Sequence, residues 1–186
     1  MLENKAITEA KDTLIKYIRG YFQNIENYNN ITNLDFTNVM VYDKQPQELR
    51  SFPSILITAA SGTFINAGLG DVAEELFNDD DVCIGCRYSG ILEFPITIET
   101  ATRTTRERDV VSDLLNFMLR VYARRQLEAE GILIKDARYS GESEITYENE
   151  KVYISTLNCT IWLQWYKDID YVRVKKININ SSPYRE

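Results

Sequence analysis

Residues 90–122 constrain this chain most, because the hydrophobic period changes within them. Leu92, Phe94, Ile96 and Ile98 recur at every second position, with Glu93, Thr97 and Glu99 among their alternates. That period predicts a strand with one face in a core and most of the other in water. From Val110 onward the apolar residues are Val110, Val111, Leu114, Leu115, Phe117, Met118, Val121 and Tyr122, which predicts a helix with one broad buried face. Thr104, followed three residues later by Glu107, fits a capping box at the start of that helix. Between strand and helix, residues 101–108 are polar and rich in arginine. They form a charged shoulder with no visible catalytic apparatus.

The flanking segments extend this plan. Ile7, Ala10, Leu14, Ile18, Tyr21, Phe22 and Ile25 make an apolar stripe, so residues 2–28 are expected to be a helix. Residues 38–42 and 52–58 read as strands, the second with Pro53 near its start, where a missing amide is tolerated. Residues 59–70 carry Gly62, Gly68 and Gly70 and are expected to form a long turn or hairpin; the acidic residues 71–81 are expected to be a solvated loop. Residues 82–88 are a strand leading into the central one. Residues 124–130 extend the second helix to a stop at Gly131. A short strand at residues 132–134 is followed by an acidic, turn-like stretch at 141–151, with the reversal at Glu148, Asn149 and Glu150.

Residues 152–166 carry the longest strand pattern. Tyr153, Leu157, Cys159, Ile161, Leu163 and Trp165 share one face, and Trp162 is an exception on the other. The order of elements predicts an α+β fold: a mostly antiparallel sheet with two main helices packed on one face. Residues 1–168 form the single domain of this reading, and residues 169–186 a C-terminal strand or extended arm.

Size and composition narrow the function. A chain of 186 residues with 44% hydrophobic and 26% charged residues is long enough to bury a real core. A net charge of -7 argues against unspecific binding to the outside of nucleic acid, though it suits a channel through which nucleic acid passes. Neither a signal peptide nor a membrane span is expected from the apolar runs. Three cysteines are an odd set for a disulfide framework, which points to a reducing site of synthesis.

The absence of histidine removes the commonest general base and metal ligand. Cys83 and Cys86 form a C-x-x-C, but zinc needs further ligands that Cys159 alone does not supply, and the flanks read as strand. Two ordinary thiols is the favoured reading, with a redox protein as the alternative. Asp71, Glu74, Glu75, Asp79, Asp80 and Asp81 lack the spacing of a calcium loop. Arg103, Arg106 and Arg108 either contact an acidic partner or are neutralised by Glu107, Asp109 and Asp113 on their own helix. Trp162 and Trp165 are either interface or strand packing. No catalytic, cofactor or metal residue is expected, and the residues point to a binding or structural protein.

The organisation resembles the tail terminator proteins of long-tailed bacteriophages, within the wider group of neck, or head-to-tail joining, proteins. The resemblance rests on the N-terminal amphipathic helix and on Phe52-Pro53-Ser54-Ile55-Leu56-Ile57. It rests most on Phe94-Pro95-Ile96-Thr97-Ile98-Glu99 followed by Thr104-Thr105-Arg106-Glu107-Arg108-Asp109 and the apolar helix. It implies a non-enzymatic virion protein that closes as a ring, typically a hexamer, on the last ring of tail tube protein. Such a ring stops tube growth and offers a surface to the head connector or stopper protein, with sheath protein a further partner and DNA only passing cargo. On this resemblance Arg103, Arg106 and Arg108, with Trp162 and Trp165, are candidates for subunit or tube contacts. Asp71, Glu74, Glu75, Asp79, Asp80 and Asp81 are candidates for a loop near the lumen. A different neck component, such as a head completion or stopper protein, and a non-viral α+β adaptor are the alternatives.

Overall fold

A computed structural model describes residues 7–24, 39–43, 51–66 and 72–170. Its centre is one long strand. The alternation around Leu92 continues without a break across Ser89 and Gly90, so that β5 runs over Cys83–Thr102. On one edge β5 pairs antiparallel with β7 (Glu150–Asp170) along its length, from Gly85 opposite Asp170 to Thr102 opposite Tyr153. Its other edge is shared by three shorter strands: β2 (Ser54–Ala59), β3 (Thr63–Asn66) and β4 (Val72–Phe77), all antiparallel to it. β1 (Met40–Tyr42) adds parallel to β2, and β6 (Ile132–Tyr147) pairs antiparallel with the far edge of β7. The fold is thus α+β with a mostly antiparallel sheet.

The helices cover one face of that sheet. α1 (Ile7–Gln23) buries Ala10, Leu14, Ile15, Ile18, Tyr21 and Phe22. α2 (Thr105–Phe117) starts as the sequence predicts: Thr104 is extended, and its hydroxyl accepts from the Glu107 amide at 3.2 Å. α3 (Arg124–Ala129) ends at Gly131, whose φ of 77° is the left-handed conformation that glycine adopts without a Cβ penalty. Beneath the helices lie Leu92, Phe94, Ile96 and Ile98 of β5, Leu157, Cys159, Ile161 and Leu163 of β7, and Ile55 and Ile57 of β2. Each such large side chain, once buried, contributes roughly 1.5–3 kcal/mol of transfer free energy.

Four expectations need correction. The buried face of the second helix is narrower than its apolar stripe: Val111, Leu114, Leu115, Met118 and Leu119 are buried, whereas Phe117, Val121 and Tyr122 are exposed. Residues Met118–Tyr122 form a π-helical turn, with the Ala123 amide donating to the Met118 carbonyl at 2.8 Å. The extra residue in that turn rotates Val121 and Tyr122 out of phase with the sheet. The glycine-bearing stretch contains β3, while residues 67–70 lie outside the described residues.

The acidic stretch is half strand: Glu74 and Glu75 belong to β4, and only the tip after it turns. There the Asn78 side chain accepts from the Asp80 and Val82 amides at 3.1 and 2.9 Å. Residues 141–147 are strand, not turn, because β7 supplies pairing that the Gly-Glu-Ser-Glu of residues 141–144 does not favour by itself, and Ile145, Thr146 and Tyr147 continue it. Only Glu148 and Asn149 reverse the chain, both at positive φ (50° and 69°), the combination of a type I′ hairpin turn. β7 runs through residue 168 without a break as far as Asp170; residues 171–186 lie outside the described residues.

Candidate functional site

The arginine shoulder divides into three different situations. Arg103 is exposed and reaches Glu150 at the start of β7, Nε to Oε2 3.2 Å. Arg108 is only 9% exposed, and its Nη2 meets Asp109 Oδ1 at 2.7 Å and Glu142 Oε2 at 2.8 Å. It clamps α2 to the β6 hairpin within its own chain. Arg106 is exposed and has no ion pair among the described residues. Of the three, Arg106 is the one whose charge is left for another molecule.

The two tryptophans part as the alternation predicts. Trp162 lies on the sheet face without helices, where its indole N–H and the Lys135 ammonium (3.0 Å) both donate to Glu93 Oε2. Lys135 also stands 4.5 Å over the Trp162 ring, a cation–π contact. These donors hold the Glu93 carboxyl below the usual carboxylate range. Trp165 lies on the helix side, packed against the edge of the core and met edge-on by Phe64 at 5.7 Å. Gly90 is what admits its ring, since a Cβ there would come within 2.9 Å of Trp165 Nε1.

Beyond Leu92 and Trp165 the sheet continues but the helical cover does not. β3, β4, residues 83–91 and the end of β7 form an arm, and on its helix side the register aligns Phe64, Val72, Tyr88, Cys86 and Ile169 with Trp165. Phe64 is 64% exposed, and Val72 and Ile169 are each 44% exposed. On its opposite face Arg87 binds Asp168 with Nε and Nη2 (2.7 and 2.9 Å) and Glu74 with Nη1 (3.0 Å), stitching β4, β5 and β7 together. The Arg87 hydrogen bond holds the Asp168 carboxyl below its ordinary range. Glu75 lies on the apolar face opposite Cys86, while Asp79, Asp80 and Asp81 sit at or beside the tip; Asp71 lies outside the described residues. A second apolar patch, Phe117, Val121 and Tyr122, tops the helical layer, with Tyr122 held against Tyr21 at 5.1 Å between ring centres. The broad apolar stripe hid this patch. The arm was hidden because its strands are short and separated by polar turns.

Cys83 is half-buried, whereas Cys86 and Cys159 are buried, and all three are free thiols. Among the described residues no three His, Cys, Asp or Glu side chains are grouped to hold a metal ion. A cavity of about 250 Å³ between the π-helical turn, α3 and β6 is lined by charges of both signs, among them Arg124 and Asp136, which are paired with Glu128 and Arg138. Burial pushes the Cys159 thiol up to about 12, with Asp136 adding to the rise and Arg120 opposing it. Burial likewise pushes the Tyr139 phenol, which donates to the Ser112 carbonyl, up to about 12.

The Cys159 thiol carries a pH signature. An unfolded chain ionises a cysteine near 8.5, and the native state holds this one neutral far above that. Stability is therefore unaffected by this group below about pH 8, and falls as pH rises toward 12, by up to about 1.4 kcal/mol per unit. Urea melts at pH 8 and pH 11 should show the loss, and Cys159→Val should reduce it, leaving the smaller share that the raised Tyr139 phenol contributes above about pH 10. An unchanged slope in that variant would rule this thiol out as the cause.

No protein-family model matches the chain, and no curated protein does.

Proposed function

We propose that this chain is a tail terminator of a long-tailed bacteriophage, a non-enzymatic subunit that assembles into a ring, capping the tail tube and presenting a face to the head connector. The observation that carries the reading is the arm. A sheet that runs past its helical layer with Phe64, Val72 and Ile169 uncovered is shaped to be completed by another protein surface. Two further features support it. The order helix, sheet, arginine-bearing shoulder, helix is the organisation on which the resemblance to terminators rests. Arg106 at that shoulder offers an unpaired charge for a subunit or the tube.

The physics of the task fits a self-associating subunit. Tube growth is head-to-tail association that has no intrinsic end, and a ring that matches the tube on one face only stops it. The test is light scattering on the purified protein, negative-stain microscopy of any large species, and addition to polymerising cognate tube protein. The expected results are a ring with a central hole and tubes that stop growing with the protein at one end. Tubes that grow undisturbed, with no protein bound at their ends, would refute the terminator reading; binding to the head connector alone would favour a stopper or completion protein.

A further inference from the structure

We infer that the two exposed apolar patches are the two halves of one heterologous contact: Phe117, Val121 and Tyr122 on the helical layer of one copy dock on the arm face of Phe64, Val72, Trp165 and Ile169 in the next. This deepens the proposed function, and it rests on the part of that reading in which the chain associates with itself.

Shape is the first argument. The helical patch lies on the outer side of the helical layer, where the π-helical turn rotates Val121 and Tyr122 away from the sheet and leaves them exposed. The arm is an open strand surface that continues the core face of the same sheet beyond its own helices. A helix laid on that surface repeats the packing that α2 makes on β5 and β7 inside the chain. The arm of one copy takes up a neighbour's helix where it has none of its own.

Charge is the second. From Phe117 to Gln126 the chain carries Arg120, Arg124 and Arg125 and no acid, with Arg124 already paired with Glu128 one turn on, so that Arg120 and Arg125 carry the patch's excess charge. Around the arm face stand Glu75, Asp79, Asp80 and Asp81, with Lys167 at the register position opposite Tyr88; Glu74 and Asp168 are held by Arg87 on the other face, where Asp170 also lies. Two arms placed face to face would bring these acids together, and two helical patches would bring the arginines together. Opposite patches attract and like patches repel, which selects head-to-tail pairing over a twofold dimer.

Neither patch shares a residue with the other, so one copy can engage two neighbours at once. Such a chain of contacts closes into a ring when the rotation per subunit divides a full turn, and otherwise grows as a filament.

Two surface variants of the full-length protein test the pairing: Val121→Glu, which spoils the helical patch, and Ile169→Asp, which spoils the arm. Each is expected to keep the wild-type circular dichroism spectrum, Val121→Glu at 61% exposure with an unchanged melting temperature and Ile169→Asp, at 44% exposure near the end of β7, with at most a small drop. Wild type at about 100 µM should be oligomeric by light scattering, and each variant alone should run at the monomer mass of 21.6 kDa. Mixed one to one, they should form a species of twice that mass and no larger. The intact arm of the first variant takes the intact helix of the second, and the remaining pair is doubly spoiled.

A Val121→Glu variant that still dimerises, or a mixture that stays monomeric, overturns the pairing, as does a monomeric wild type. The two readings fail separately. A monomeric wild type that nonetheless caps tubes removes this contact and leaves the terminator reading standing. A heterodimer from the mixed variants, with wild type that never binds tubes, does the reverse.

Discussion

Phe94→Ala is expected to destabilise the protein by about 3–5 kcal/mol, the range for deleting a fully enclosed aromatic side chain. Phe94 has no exposed surface and lies at the centre of β5, opposite Ile161 of β7. It belongs to the same buried cluster as Leu14, Ile18, Phe22 and Leu115 of the helices. Substitution removes the transfer free energy of the ring and leaves a cavity whose walls, strand backbone on one side and two helices on the other, are poorly placed to collapse. Against a typical total stability of 5–15 kcal/mol, the variant should lie near its unfolding threshold at 37 °C. Urea denaturation of both proteins at matched m-value measures it. A loss under about 1 kcal/mol would show that the core does not centre on this residue.

Arg108→Glu is expected to cost about 3–5 kcal/mol, while Arg106→Glu, two residues earlier, changes stability by no more than about 0.5 kcal/mol. The contrast comes from surroundings alone. Arg108 is almost buried and is held by Asp109 and Glu142, so a glutamate there would set a third carboxylate beside two others with no cation to offset them. Arg108→Met, which keeps much of the packed stem, should cost less than the reversal. Arg106 points to solvent and its reversal disturbs nothing in the described chain. The pair separates folding from assembly: lost assembly in Arg106→Glu with an unchanged melt identifies a contact, whereas lost assembly in Arg108→Glu would report only unfolding. Equal stability losses for the two would contradict the clamp.

Much of the candidate surface was hidden for a nameable reason. Residues 141–144 open with glycine and alternate acids with serine, which gives them little strand propensity and masks the strand-favouring Ile145, Thr146 and Tyr147 that follow; they form a strand because β7 offers sixteen-residue β6 a partner along its whole length. Glu74 and Glu75 look like loop for the same reason until Arg87 and the β5 edge hold them. The reversal at Glu148 and Asn149 was legible locally, as was the Thr104 cap, because a turn and a cap involve only residues adjacent in the chain. The exposure of Phe117, Val121 and Tyr122 was not legible: an apolar side chain at helical spacing looks the same whether it meets a sheet or water.

Local pattern by itself determined the central alternation of β5, the strand face carrying Leu157, Cys159, Ile161 and Leu163, the two main helices and the stop at Gly131. Those features arise from periods of two and 3.6 residues and from glycine's freedom at positive φ, which act between near neighbours. Tertiary structure alone decided three things: where the helical cover ends on the sheet, which arginine is clamped and which is free, and that one strand serves β2, β3 and β4 in succession. Each depends on contacts between residues far apart in sequence, such as Arg108 with Glu142 or Phe64 with Trp165, and no local period encodes such distances.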